Sequence, residues 1–306
     1  MFAGLVVLGP LLVSLVLAGA AATLTARRRV PDAVLPLPVA GARRRGDVWT
    51  GLAGLAAAGT AAGCVAGAWR LHEERLVVLA PLAGATAYAL VALVAEATWP
   101  RPVARLRSAR LLVRSVRDSA SPGLLRCAAA VGALLAATCF LGAALGAEDG
   151  RSVQWSSPDG LATWSAATFP GAALTVPVAA LAVLTAVVTG AVLHRVPVRP
   201  SAPASDDATD AALRRVAAHR VLRTSTAAAT LTLAGLLLLA GSSAGGLGGE
   251  YQVAPDAWRS STPPRGWSAL AVVALWSSPV LALAGLAALF WPAAGLRRER
   301  AAVRAA

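Results

Sequence analysis

The sequence predicts an all-α fold: one polytopic membrane bundle of about seven transmembrane helices, with residues 1–306 forming a single integral membrane domain. Three observations predict it. Hydrophobic residues make up 57% of the chain and the mean hydropathy is +0.65, while only 14% of residues are charged, against roughly 25% in a soluble domain. The apolar residues gather into seven runs of about 20 residues or more, the length a helix needs to cross the hydrocarbon core. The segments joining these runs alternate between arginine-rich and arginine-poor.

Taken in order, the first run covers 2–26. No basic residue precedes it and Arg27-Arg28-Arg29 follows it, which is the charge pattern of an N-out anchor and not of a cleaved signal peptide. Residues 27–48 contain prolines and six arginines and are expected to form a loop. Runs 49–69 and 76–98 are joined by a turn containing His72-Glu73-Glu74, expected to be solvated and not a metal site. Runs 124–146 and 168–193 follow one basic segment, and runs 224–245 and 268–291 follow another. Segments 27–48, 99–126, 194–223 and 294–306 hold 23 of the 28 basic residues; the other three loops hold only Arg70, Arg75, Arg151, Arg259 and Arg265. The excess of positive charge inside then assigns the first set to the cytoplasm, with the N-terminus outside and the C-terminus inside. The acids Glu73, Glu74, Glu148, Asp149, Asp159, Glu250 and Asp256 fall on the outer face. Trp49, Trp69, Trp99, Trp267 and Trp291 lie at run ends, where an interfacial aromatic belt belongs.

The last two hairpins share a layout. Each has a basic segment, a helix, an outer loop with a Pro-Asp pair (Pro158-Asp159, Pro255-Asp256), and a helix interrupted by Pro177 or Pro279. A parallel repeat and a likeness produced by biased composition both fit. The bias is plain: the chain has no lysine, asparagine or isoleucine, and those residues have AT-rich codons.

Three features could carry chemistry. Residues 102–117 place Arg107, Arg110, Arg114 and Arg117 at helical spacing, with Leu106, Ala109, Val113 and Val116 one position behind. This predicts an amphipathic helix on the inner leaflet, reaching anionic headgroups or a soluble partner such as an ATPase. Residues 208–223 (Leu213, Val216; Arg214, Arg215, Arg220, Arg223) are a second, less regular example; a plain topology-fixing basic loop is the competing reading for both. Glu96 is the one acid inside a predicted run, two residues before its end. It either snorkels or pairs with an arginine at the interface, or acts as a proton-carrying group facing the bundle interior. Gly59, Gly63 and Gly67 form a double GxxxG stripe, and Gly142 and Gly146 a single one, spacings that let helix backbones approach closely. The outer loops, with Trp155, Trp164, Trp258 and Trp267, are expected either to lie on the membrane surface or to form a small folded cap.

Several functions are excluded. Without lysine there is no retinal Schiff base and no Walker A loop. His72, His194 and His219 fall at or outside the run ends, with no HExxH and no histidine near a serine to serve as its base. No acid pair lies at mid-bilayer for an ion-coupled carrier. Cys64, Cys127 and Cys139 have neither disulfide nor metal spacing. The net charge of +13 follows topology and does not imply nucleic-acid binding. No enzyme, metal site or cofactor is expected.

Glu96-Ala-Thr-Trp-Pro-Arg-Pro, Arg114-Ser-Val-Arg-Asp and Asp206-Asp-Ala-Thr-Asp-Ala-Ala-Leu-Arg-Arg, together with the layout, resemble uncharacterised polytopic integral membrane proteins of high-GC actinobacteria. The resemblance implies a bacterial plasma-membrane location and no specific activity. The functional expectation is a transport-related, permease-like subunit working with a separate partner such as a cytoplasmic ATPase; the alternative is a non-catalytic membrane scaffold or sensor.

Overall fold

The computed structural model describes residues 37–100, 115–201, 207–254, 257–261, 263 and 265–291. The elements are α1 (Leu37–Arg70), a 3-10 segment (Glu74–Leu79) leading into α2 (Ala80–Ala97), a single turn (Val116–Ser119), α3 (Pro122–Leu145), β1 (Val153–Ser156), β2 (Thr163–Ala166), α4 (Ala172–Val198), α5 (Asp207–Ala244), β3 (Gly249–Ala254), β4 (Ala257–Ser261) and α6 (Arg265–Phe290). Six helices among the described residues are long and apolar enough to cross a membrane. They correspond to the second through seventh runs of the sequence; the first run, 2–26, lies outside the described residues.

Helix starts follow local chemistry. Pro81 and Pro122 sit in the first turns of α2 and α3, where proline's missing N–H costs no hydrogen bond. Two segments expected as loops or surface helices are corrected. α1 begins at Leu37, so most of the 27–48 loop, including Arg43, Arg44 and Arg45, is helical. The 208–223 segment is not a separate helix; it is the first half of α5, whose 38 residues extend about 57 Å at 1.5 Å per residue, well beyond the roughly 30 Å of a hydrocarbon core. The helix expected over 102–117 does not run through its last residues either. Ser115 is extended and caps a new turn, with Ser115 N–H and Oγ both on Asp118 Oδ2.

α5 is the centre of the bundle and packs against α2, α3, α4 and α6, while α1 leans on α2. The mid-bundle core joins Leu82, Leu135, Leu174, Val178 and Leu236. A second cluster around Val188, Val192, Val196, Ala218 and Leu222 fills the end where α5 begins. Leu55, Phe140, Val187, Trp276 and Leu283 point outward and are exposed, as side chains facing lipid tails are.

Both longer inter-helix loops of the second half fold as two-stranded antiparallel hairpins, β1–β2 and β3–β4. The two loops are therefore folded and touch each other through Tyr251 and Asp159, as a small cap would. Trp155 pairs with Trp164 and Tyr251 with Arg259 across the strands. At the first tip Gly160 takes φ +73, the left-handed conformation that glycine adopts without a Cβ penalty. Helix, hairpin and proline-interrupted helix thus occur twice, with Pro177 inside α4 and Pro279 inside α6.

The two glycine stripes part company. A Cβ on Gly142 would run into the Pro170 carbonyl and Thr175, and one on Gly146 would lie 3.1 Å from Gly171 Cα. α3 therefore passes the start of α4 backbone to backbone. At Gly59, Gly63 and Gly67 a Cβ would meet nothing within 4 Å, and the packing role expected of that stripe has no partner among the described residues.

Candidate functional site: the arginine end of the bundle

Contacts sort the inter-helix segments onto two ends. One end gathers Arg45, Asp47, Glu96, Trp99, Arg199, Asp210, Arg214, Arg220, Arg223 and Trp291. The other gathers Glu73, Arg151, Asp159, Thr168, Ser243, Tyr251 and Arg259. For the described helices, the alternation read from arginine content is the alternation of ends.

At the arginine end, α2 stops at Ala97 because Pro100 disfavours helical geometry in the residue before it. Thr98 closes the last turn, its N–H and Oγ1 both donating to Val94 O, and Arg45 Nη2 donates to the Thr98 carbonyl at 2.8 Å. Glu96 is thereby left on the final turn, facing α4. Arg199, just past the end of α4, meets it: Nη1 donates to both carboxylate oxygens at 3.1 Å. The two side chains are 9% and 3% exposed. The guanidinium lies on the Trp99 ring, with Cζ 3.9 Å from the centroid, in the stacked cation–π arrangement that favours arginine. The pairing expected of Glu96 is present, with Arg199 as its partner.

Arg214 holds the turn that carries Arg199. Its Nη1 donates to the carbonyls of Val196 (2.7 Å) and Pro197 (2.6 Å), its Nη2 to that of Arg199 (2.8 Å), and its Nε to Asp210 Oδ2 (2.9 Å). The last carbonyls of a helix have no partner within it, and a cation there also suits the helix dipole. One side chain thus closes the end of α4. Arg214 and Asp210 are 3% and 2% exposed, which requires the charge-paired, fully bonded arrangement observed.

The next turns of α5 repeat the device. His219 Nε2 lies 2.9 Å from Trp291 O and Arg223 Nη1 donates to the same carbonyl at 3.1 Å, just past the end of α6. Because a carbonyl only accepts, Nε2 is the protonated ring nitrogen. Arg220 donates to Thr50 Oγ1 and Asp47 Oδ1, tying α5 to α1. Within this stretch Arg214, Arg220 and Arg223 bond groups of α4, α1 and the end of α6. His194 and His219 both lie within helices instead of beyond them.

Between the two ends runs a seam of hydroxyls. Thr86 and Thr185 bond at 2.7 Å and Thr189 and Ser225 at 2.7 Å, while Ser278 donates to Ala234 O. Such contacts join helices without charge. Among the described residues, no three metal-ligating side chains come together.

At the hairpin end, Asp159 accepts from Ser157 Oγ, Leu161 N–H and Tyr251 O–H at 2.6, 3.2 and 2.7 Å. These bonds, Ser157 foremost, hold its carboxyl at about 2. The same Asp159 contact raises the Tyr251 phenol above its ordinary value. Tyr251 also meets Trp164 edge-on at 5.7 Å, so one hairpin clasps the other. Asp149 is held low by the N–H groups of Arg151 and Ser152.

Of the sequence-singled residues, the structure joins Glu96 to Arg199 and seats Gly142 on Pro170. Arg107, Arg110 and Arg114 lie outside the described residues, and Arg117 is in the short turn after Ser115. Sequence reasoning missed Arg199, which is 103 positions from its partner. The Asp210–Arg214 pair carried a signal in its i,i+4 spacing.

Comparison with protein-family models, with curated proteins and with solved structures gives no match to this chain.

Proposed function

We propose that the chain is a seven-crossing protein of the bacterial plasma membrane, N-out and C-in, acting as a non-catalytic scaffold or sensor. The topology is supported by the sorting of arginine-rich and arginine-poor segments onto opposite ends of the six described helices. The observation that carries the functional reading is the state of Glu96. The one acid of the apolar runs is engaged by Arg199 on both oxygens and covered, so it does not face an open path as a coupling carboxylate would. A folded hairpin cap on the outer side and a rigid, arginine-locked inner end suit a protein that presents surfaces. The resemblance to actinobacterial membrane proteins belongs to the same reading.

In cells, single cysteines at Arg151 and Arg259 are expected to react with a membrane-impermeant maleimide from outside, and one at Arg215 only after permeabilisation; the opposite pattern sinks the topology. For function, Glu96→Gln is expected to leave proton and sodium flux in proteoliposomes at the background of empty vesicles, as the unaltered protein does. A flux that the unaltered protein supports and Glu96→Gln abolishes would overturn the scaffold reading.

A second reading, the permease-like subunit, is favoured by Pro177 and Pro279 inside α4 and α6, since interrupted helices recur at transport sites. It requires a separate ATPase, with Arg107, Arg110, Arg114 and Arg117 as the docking side. Stimulation of that ATPase by the reconstituted chain is its test.

A further inference from the structure

Arg199 has an unused binding edge. Its Nη1 is committed to Glu96, yet its Nε and Nη2 are sealed from solvent without a hydrogen-bond partner, on a residue only 6% exposed. Nε–H and one Nη2–H point in parallel from one side of the guanidinium, the side that grips a carboxylate or phosphate with two bonds at once. Two neighbours share the condition. The Trp99 indole Nε1, on the ring beneath Arg199, and Arg45 Nε, on the side chain that reaches Thr98, are also buried and unpartnered. Leaving a buried donor unmet is costly, and the surplus at this spot is donors on three residues from three elements, two of them cations.

We propose that Arg45, Trp99 and Arg199 form a binding site for a phosphate group, with the Arg199 edge as its bidentate anchor. A tetrahedral phosphate suits donors arriving from three residues better than a planar carboxylate, which the Arg199 edge alone would occupy. The same chemistry comes from two sources: the headgroup of an anionic phospholipid, or free phosphate and small phosphorylated solutes. The first source rests on the membrane reading above, which puts the end of α2 and the Trp99 ring at headgroup depth.

The test uses the full chain in an uncharged detergent and follows thermal unfolding against added phosphatidylglycerol, a phosphate-free galactolipid, or inorganic phosphate. A saturable rise in Tm is expected with phosphatidylglycerol or inorganic phosphate, and none with the galactolipid. Saturation by the lipid alone assigns the headgroup as source; saturation by inorganic phosphate assigns a soluble one. Arg199→Lys keeps a cation for Glu96 but has no second edge, and is expected to weaken binding about ten-fold. Trp99→Phe keeps a ring under the guanidinium without its N–H and is expected to weaken binding a few-fold, while Arg151→Gln at the other end leaves it unchanged. The proposal is overturned if neither phosphate source stabilises the chain, if the galactolipid does so equally, or if Arg199→Lys binds as tightly as the unaltered chain. Should Arg199→Lys fail to fold, unchanged binding by Trp99→Phe overturns it instead. The cysteine labelling above reads topology separately, so failure here leaves that reading standing.

Discussion

The two ends of the bundle spend their polar groups differently. At the arginine end, Asp210, Arg214, Glu96 and Arg199 are almost wholly covered and close the ends of helices. At the hairpin end, Asp159, Tyr251 and Arg259 bond in the open, and the clasp joins two short hairpins instead of helix ends. A buried ion cannot fall back on water when its partner is lost, whereas an exposed one can. Mutation should therefore be felt steeply at one end and mildly at the other.

The largest effect is expected for Arg214→Met, which strands Asp210 and frees two carbonyls of α4 together with that of Arg199. A loss of about 3–5 kcal/mol is expected from breaking one side of a buried pair, read as a lowered Tm in detergent. Asp210→Leu added to it should recover part of the loss; an effect no larger than that of Arg151→Gln would show that the two ends do not differ. Next comes Glu96→Gln, which still offers Arg199 an acceptor but not a charge, at about 1–3 kcal/mol. The glycine stripes give a sharper contrast on helices of one bundle. Gly142→Ala must displace the Pro170 backbone and should cost about 1–3 kcal/mol, whereas Gly63→Ala should stay within about 0.5 kcal/mol. Equal effects at both sites would contradict the packing described for them.

The smallest effect concerns pH at the hairpin clasp. Asp159 is depressed from 3.8 to about 2, so the stability it contributes is present above 3.8 and is lost as pH falls toward about 2. Tyr251 is raised above 10.0, so its contribution is present below 10.0 and lost as pH climbs through the raised value. The near-UV circular dichroism of the Trp164–Tyr251 pair should fade at both extremes in the unaltered chain and be weak throughout in Asp159→Asn. A signal that survives acid to the bottom of that window would dissociate Asp159 from the clasp.

Helix count and order for the described part were legible because a bilayer demands long apolar runs, and because arginines alternate with the ends those runs connect. Helix ends were less legible. Arginine content made 27–48 read as a loop and 208–223 as an inner-leaflet helix or a basic loop, yet Arg45, Arg214 and Arg220 find carbonyls and carboxylates on neighbouring helices, and nothing local announces such partners. The partner of Glu96 was hidden by distance along the chain. The hydroxyl seam was hidden because Thr86, Thr185 and Ser225 carry no charge to mark them. The first hairpin was foreshadowed by Pro158-Asp159-Gly160, a sequence that favours a tight turn.

The cap that Arg214 places on α4 also bears on how the chain is made. α4 leaves the ribosome before the residue that closes it, so its terminal carbonyls wait, uncovered, until the first turns of α5 follow. The pair is therefore expected to settle as one insertion unit. A nascent chain ending near residue 201 should hold α4 less firmly in the membrane than one ending past 214. Stepwise truncation with a glycosylation reporter would locate that change at the length where Arg214 becomes free to reach back.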